Sequence, residues 1–338
     1  MPPANLRLTI DTATLAANWC ALDRASGAAA CGAAVKADGY GLGASAVVLT
    51  LVRAGCRDFF VASWAEAAAL DIPAAARLAV LHGVQDGEMR VALASAAVPV
   101  LCTPAQVAAW RAAAPGRVCD VMIDTGMNRL GLEFNELNLL DGLTIDTIHS
   151  HLACADTPCH PMNARQLAAF REVVATVPAK RASLANSCGI MLGPDYAFGL
   201  TRPGIGLYGG AVAGVAPVAG IEARVVQVRD IAAGDSVGYG ATWTAARATR
   251  VAVLNIGYAD GYPCSLSNGG SVFADDATCP VIGRVSMDLV AADVTGADVR
   301  EGDWLRLDFD LPRAAAASGR SQYELLTGLS HRYARRYQ

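Results

Sequence analysis

The chain has 338 residues, with 27 Lys+Arg against 31 Asp+Glu for a net charge of −4, and it is 53% hydrophobic with only 17% charged residues. This describes a globular chain with a large core, long enough for two domains or for one barrel plus an addition. The acidic balance and the lack of any Lys/Arg cluster exclude nucleic acid as the main partner, because phosphate neutralisation needs a basic face.

The longest uncharged run, residues 203–221, holds six glycines and two prolines. It reads as strand and linker, and no membrane association is expected. The N-terminal MPPANLRLTID has no apolar stretch behind a basic start, so a cytoplasmic location is the expectation. Ten cysteines occur without a CxxC pair, which suits small buried hydrophobes in a reducing compartment. The 27 basic residues comprise 25 arginines and two lysines, Lys36 and Lys180. The two amines therefore stand out.

In chain order, LRLTID comes first and can serve as a strand. Leu15, Trp19 and Leu22 then share one face of a helix. Apolar runs at residues 32–35, 58–61, 77–81, 98–101, 117–123, 145–151, 181–185 and 206–208 read as eight strands. Seven helix-like stretches separate them, including WAEAAAL, ARQLAAFREVVATV and a helix opened by Thr103 as N-cap with Pro104 at the first position. This alternation is what a (β/α)8 TIM-type barrel needs, and a doubly wound open sheet is its rival. From residue 225 onward, ARVVQVRDI, RVAVLNIGYA, PVIGRVSMDLVAADV and DWLRLDFD form β-rich runs between Gly, Asp and Pro turns, a second and mostly β domain. The expected division is a barrel over residues 11–214 and a β domain from residues 1–10 and 215–338.

The polar residues with chemical potential fall at strand ends. Lys36 follows the first strand, Arg129 the fifth, His151 ends the sixth, Asn186 and Ser187 follow the seventh, and Arg202 to Gly204 approach the last. Barrel enzymes assemble their sites from the C-terminal ends of strands and often hold phosphate after strands seven and eight. An amine, two guanidiniums, an imidazole and a Ser/Gly cradle together suit a phosphorylated anionic ligand. Lys36, at the end of an apolar strand, is partly desolvated, which lowers its pKa and suits it to forming an imine. The cluster His149, His151, Cys154, Cys159 and His160 fits no common zinc spacing, and no metal site is expected.

AVKADGYGLG, which contains Lys36, resembles the pyridoxal phosphate lysine motif of the alanine racemases. IDTGMNRLG, SHLACAD, ANSCG, TRPGIGLYG, VGYGATW, IGYADGY, IGRVSMD and YELLTGLSHRYARRY resemble further segments of that family in the same order, so the likeness spans the chain. The resemblance implies a fold-type III pyridoxal phosphate enzyme with a barrel and a β domain, working as a head-to-tail homodimer. It implies that Lys36 holds the cofactor and acts as base on one face of the substrate Cα, with Tyr239 from the other subunit as base on the opposite face. Racemisation needs such a pair, because a proton leaves one face and returns to the other. A phenol has an ordinary pKa near 10, so this role requires neighbouring cations.

The same resemblance places Arg202 against the pyridine nitrogen, supported by His151. It assigns the phosphate to Tyr40, Ser187, Tyr323 and the amides of Gly204 and Ile205. Arg129 and Met287 are placed at the substrate, with Tyr258 and Asp288 near the entrance. One departure concerns Met122, seven residues before Arg129, where many members carry a lysine whose carbamate orients that arginine. The lysine motif also reads DGYGLG where NAYGHG is common. The implied activity is interconversion of L- and D-alanine, supplying D-alanine for cell-wall peptidoglycan. A serine or broad-spectrum racemase, a non-catalytic pyridoxal phosphate carrier and a decarboxylase of the same fold type stay open.

Overall fold

The computed structural model describes residues 4–338, so the start of the expected β segment, residues 1–3, lies outside the described residues. The chain separates into two compact units. One joins the N-terminal stretch through Thr14 to Pro217–Gln338, and the other is Leu15–Ala216.

Strand β1 (Leu6–Ile10) belongs to the first unit, where alternate residues are buried as expected of a strand packed on one face. A helix, Thr12–Ser26, leads into the second unit. It buries Leu15, Trp19 and Leu22 on one face, and the Trp19 indole donates to the Cys31 carbonyl at 3.2 Å. Seven parallel strands follow in sheet order, starting from β3: β2 (Ala30–Cys31) lies just before it, then β3 (Ala33–Ala34), β4 (Asp58–Val61), β5 (Arg77–Val80), β6 (Val98–Leu101), β7 (Val118–Met122), β8 (Thr144–His149) and β9 (Arg181–Ser183). Their residues are almost all buried, as in parallel sheets covered on both faces. Helices between them start at side-chain caps, Ser63 and Thr103 each accepting a backbone N–H three residues on.

The eighth strand is not where the apolar pattern puts it. Residues Ile205–Tyr208 form a 3-10 turn, and the strand is instead the two-residue β10 (Leu200–Thr201), which pairs in parallel with β2. Bonds from Ala30, Gly32 and Ala34 to the carbonyls of Gly199, Thr201 and Pro203 tie it to one neighbour. Bonds from Gly199 and Arg202 to Ala182 and Ala185 tie it to the other. The ring of strands is thereby closed. Pro203 lacks the N–H that a longer ladder would need, so the strand stops there and the apolar run after it curls.

Charged residues at the starts of β4, β5 and β9 fill the N-terminal end of the ring. Arg181 makes a two-pronged pair with Asp58 at 2.8 and 3.0 Å and a further bond to Asp146 at 3.0 Å. Lys180 lies at this end, exposed.

The first unit continues with β11 (Ala219–Ile231), the hairpin pair β12 (Ser236–Val237) and β13 (Trp243–Thr244), β14 (Thr249–Leu254), β15 (Ser271–Ala274), β16 (Ala277–Ile282), β17 (Val290–Asp293), β18 (Trp304–Leu307) and β19 (Ala334–Tyr337). Eight of these elements form one sheet in the order β14-β17-β16-β15-β18-β11-β1-β19. The N-terminal strand is therefore part of the β unit, antiparallel to β11 and parallel to β19. Two helices in this unit, Leu311–Ser318 and Gln322–Thr327, are absent from the sequence reading. Both have legible starts: Asp310 caps the first, with Pro312 in its opening turn, and Ser321 with Glu324 forms a reciprocal capping box on the second.

Candidate active site

Within the barrel unit, Lys36, Arg129, His151, Ser187 and Arg202 all lie just beyond the C-terminal ends of strands, the end at which barrel enzymes work. Lys36 follows β3, and its side-chain amine makes no hydrogen bond to another described residue. Burial pushes its amine below the usual lysine range, and the positive charges of Arg129 and Arg202 push it the same way against the opposing carboxylate of Glu66. A neutral amine is the nucleophilic form.

The backbone after Lys36 is unusual. Ala37, Asp38, Gly39 and Tyr40 all adopt the left-handed conformation, with φ of 52°, 53°, 62° and 57°. Each non-glycine residue there costs about 1–2 kcal/mol. The turn persists because its polar groups are held from outside. The Ala37 N–H donates to Glu66 Oε1 at 2.8 Å, and Asp38 Oδ1 accepts from the Ala44 N–H at 2.9 Å. Glu66 Oε2 also accepts from the Ala62 N–H at 2.7 Å, which anchors it. The turn sets the Tyr40 ring on that of Tyr208, centroids 4.6 Å apart, while Tyr208 donates its hydroxyl to the Ala34 carbonyl at 3.0 Å.

Arg202 is buried, and its partners are all on neighbouring strand ends. Its guanidinium donates to the Ser183 carbonyl and hydroxyl and to the Ser150 carbonyl, and lies 3.5 Å from His151 Nδ1. Burial pulls its pKa down to about 10, which leaves it charged at neutral pH. Burial, with Arg202, Arg129 and Lys36 nearby, pushes the His151 imidazole down to about 3. His151 is therefore neutral and can accept from Arg202 at Nδ1. Gln166 pins the chain around it, donating to the His151 carbonyl at 2.8 Å and accepting from the Ala153 N–H at 2.8 Å.

Ser187 lies in a nest of amides. Its Oγ accepts from the N–H groups of Gly204 at 2.9 Å and Gly206 at 3.1 Å. Gly204 admits no side chain: a Cβ there would lie 2.1 Å from the Tyr40 hydroxyl oxygen. Tyr40, Ser187, Gly204 and Ile205 thus converge in one place, an amide-rich pocket that suits an anion's oxygens.

Arg129 is exposed and its loop is gripped by Asp124. That carboxylate accepts from the N–H groups of Gly126 at 2.7 Å, Met127 at 2.8 Å and Arg129 at 3.1 Å. Met122 is buried in β7 and supplies no charge. Sequence reasoning passed over Asp124 and Glu66 because each acts through backbone amides; Asp before Thr-Gly is the signature of an Asx turn.

The remaining candidates sit in the β unit and are exposed. Tyr239 is 72% exposed, on a short turn at the tip of the β12–β13 hairpin between Gly238 and Gly240, whose φ values are 79° and 74°. It borders a groove of about 580 Å³ shared with Arg229, Arg284, Leu289 and Val290. Met287 is half exposed; its carbonyl accepts from the Ala259 N–H at 3.0 Å, and Asp288 pairs with Arg332 at 2.6 Å. Tyr258 and Tyr323 are exposed as well. The barrel residues form one cluster, while Tyr239, Met287 and Tyr323 belong to the other unit.

Comparison with known proteins now bears on these positions. The family description "Alanine racemase, N-terminal domain" matches residues 10–212, and "Alanine racemase, C-terminal domain" matches residues 218–337. The chain belongs to the alanine racemase family. A biosynthetic alanine racemase of Agrobacterium fabrum is 44% identical over 99% of this chain and 94% of its own length. A catabolic alanine racemase of the same organism is 43% identical over 99% and 92%. Identity therefore does not select between the two physiological roles. An alanine racemase from Bartonella henselae, crystallised with covalently bound pyridoxal phosphate, superposes with a TM-score of 0.92 at 36% identity, covering 99% of this chain and 100% of that one. These matches leave the alanine racemase fold secure for both units.

Proposed function

We propose that the chain is a cytoplasmic, pyridoxal phosphate-dependent racemase that interconverts L- and D-alanine by a two-base route in a head-to-tail homodimer, supplying D-alanine for peptidoglycan. The observation that carries this reading is the partly buried, deprotonation-prone Lys36 set among Arg129, Arg202 and His151 at the catalytic end of an alanine racemase barrel.

The residues present suit the cofactor. Lys36 offers an amine free of competing hydrogen bonds, and the Ser187 nest already holds an oxygen on the Gly204 and Gly206 amides. The Tyr40 hydroxyl, packed against Gly204, would add a donor for phosphate beside the Ile205 amide. When bound, pyridoxal phosphate supplies an electron sink for the negative charge that deprotonation leaves at Cα.

The chain's own groups do the rest. Lys36 takes or returns a proton at Nζ on one face of Cα, and Tyr239 of the partner subunit does so at its hydroxyl on the other. Arg129 receives the substrate carboxylate, with Met287 of the partner subunit at the entrance. Arg202 would face the ring nitrogen and, keeping its own proton, would moderate the sink and disfavour side reactions. His151 stays neutral and accepts a hydrogen bond from Arg202, so no second cation competes there.

The test is direct. The purified protein should be yellow, racemise alanine faster than serine, and lose its visible band on Lys36→Ala. Faster turnover of serine would sink the alanine assignment, and carbon dioxide release would identify a decarboxylase. Rescue of a D-alanine auxotroph tests the cell-wall role.

A further inference from the structure

One buried carboxylate in the barrel has no part in the proposed chemistry. Asp120 on β7 is fully buried, and it binds three groups: Arg77 Nη2 at 2.5 Å, the Thr147 N–H at 3.0 Å and His149 Nε2 at 3.0 Å. Withdrawing an ionised carboxylate from water costs several kcal/mol unless its oxygens are well bonded. The position of those bonds shows what the group does.

Along the β7–β8 ladder, Cys119 pairs with Ile145, yet Val121 pairs with Ile148. Strand β8 therefore spends three residues where β7 spends two. The extra residue makes a β-bulge at Asp146 and Thr147, and the Asp120 carboxylate takes up the Thr147 N–H there. Because side chains alternate along a strand, one inserted residue moves every later group by one place.

The groups beyond this bulge are those that meet Arg202. His149 pairs with Met122, the Ser150 carbonyl accepts from Arg202 Nη2 at 2.6 Å, and His151 Nδ1 lies 3.5 Å from the same nitrogen. Without the bulge, Ile148 would stand opposite Met122 and the Ser150 carbonyl would be turned away from the guanidinium. His149 is fully buried, its Nδ1 has no partner among the described residues, and the only hydrogen bond of its imidazole is to Asp120. Asp120 thus holds β8 at two points immediately before the strand reaches Arg202.

We propose that Asp120 is a positioning residue for Arg202, fixing the bulged register of β8 in which Ser150 and His151 meet the guanidinium. This rests on the reading that Arg202 faces the ring nitrogen of pyridoxal phosphate. A displaced Arg202 would no longer moderate the electron sink, and transamination would rise: the alanine amino group passes to the cofactor and one pyruvate is released per cofactor aminated.

The experiment compares Asp120→Ala, Asp120→Asn and Arg202→Lys in the full-length, cofactor-loaded protein. It measures pyruvate released per racemisation turnover, together with hydrogen exchange of the 144–151 peptide in the cofactor-free chain. Both Asp120 variants should raise the pyruvate ratio, Asp120→Ala by about tenfold and Asp120→Asn by less. Both should speed exchange at 144–151 while leaving 98–101 unchanged, and Arg202→Lys should raise the ratio without altering exchange. Asp120→Asn is nearly isosteric and keeps an acceptor for Thr147, so it carries the test if the alanine variant fails to fold. An unchanged ratio in the Asp120 variants, with a raised one in Arg202→Lys, overturns the proposal and leaves Asp120 a packing residue. An unchanged ratio in Arg202→Lys as well overturns the placement of Arg202 and this proposal together.

Discussion

The barrel unit and the β unit present their candidate residues in opposite ways. At the barrel site, Arg202 and Ser187 are buried with their hydrogen bonds made inside the unit, and Lys36 is desolvated. On the β unit, Tyr239, Tyr258 and Met287 stand 72%, 49% and 51% exposed. A buried group has its protonation set by its surroundings before any ligand arrives, whereas an exposed phenol acquires its working environment only from what docks over it. The proposed two bases would thus differ in origin as well as in identity, one made by folding and the other by assembly.

The largest expected effect tests the half made by folding. Lys36→Ala removes one proposed base together with the amine that would hold the cofactor, so alanine racemisation should fall by at least about ten-thousandfold, the upper end for a proton-transfer group. Added methylamine that restored full activity without restoring the visible band would contradict the double role.

Next comes the half made by assembly. Tyr239→Phe should lower racemisation by about a thousandfold while the visible band persists. In deuterated water the variant should still exchange the Cα hydrogen of one alanine enantiomer and not of the other, because Lys36 still serves its own face. Loss of exchange from both enantiomers would mean that the two groups do not divide the faces between them.

How much of this was legible in the sequence differs by residue. Lys36, Arg129, His151, Ser187 and Arg202 could be placed because a barrel puts its chemistry at strand ends, and the strand ends were readable from apolar runs. The eighth strand was misplaced because β10 is only two residues long, too short to show a period, while the richer run after Pro203 curls into a 3-10 turn. Asp120, Asp124 and Glu66 were overlooked for a different reason. Each is a carboxylate whose partners include backbone amides, and of the three only Asp124, before Thr-Gly, leaves a mark of this in the one-letter code. The bulge in β8 is equally silent, since its register depends on a neighbouring strand.

A smaller effect concerns the sealed interior. Burial holds the His149 imidazole down at about 4, although the bond to Asp120 opposes this, and an unfolded histidine titrates near 6.5. The depressed folded value means that the stabilising contribution is fully present above about 6.5. It is lost as pH falls from there through about 4. Between pH 6.5 and 5 the cofactor-free chain should lose about 1.5 kcal/mol from this group, the slope rising towards 1.36 kcal/mol per pH unit below 6.5. Urea unfolding at the two pH values measures this loss. His149→Gln can still donate to Asp120 but does not titrate, and it should flatten the dependence. An unchanged slope would mean that the imidazole is not buried neutral.

The smallest expected effect concerns Arg129 and returns to the comparison from the barrel side. Among the barrel candidates Arg129 is exposed like the β-unit residues, and Met122 offers it no charge. Its placement instead rests on the Asp124 carboxylate, which binds three amides of the loop, including that of Arg129. A clamp on the backbone fixes where the side chain starts but not where it ends, so Arg129 should keep more freedom than an arginine oriented through its own guanidinium. Asp124→Ala should therefore raise KM for alanine by about tenfold, near the 1.4 kcal/mol of one net hydrogen bond, and change kcat less. Met122→Lys tests the complementary point. A lysine there could carry a carbamate that steadies the guanidinium from beside it, and bicarbonate should then lower KM in the variant while leaving the native chain unaffected. Equal responses to bicarbonate would show that position 122 does not govern Arg129, and that the Asp124 clamp alone is sufficient.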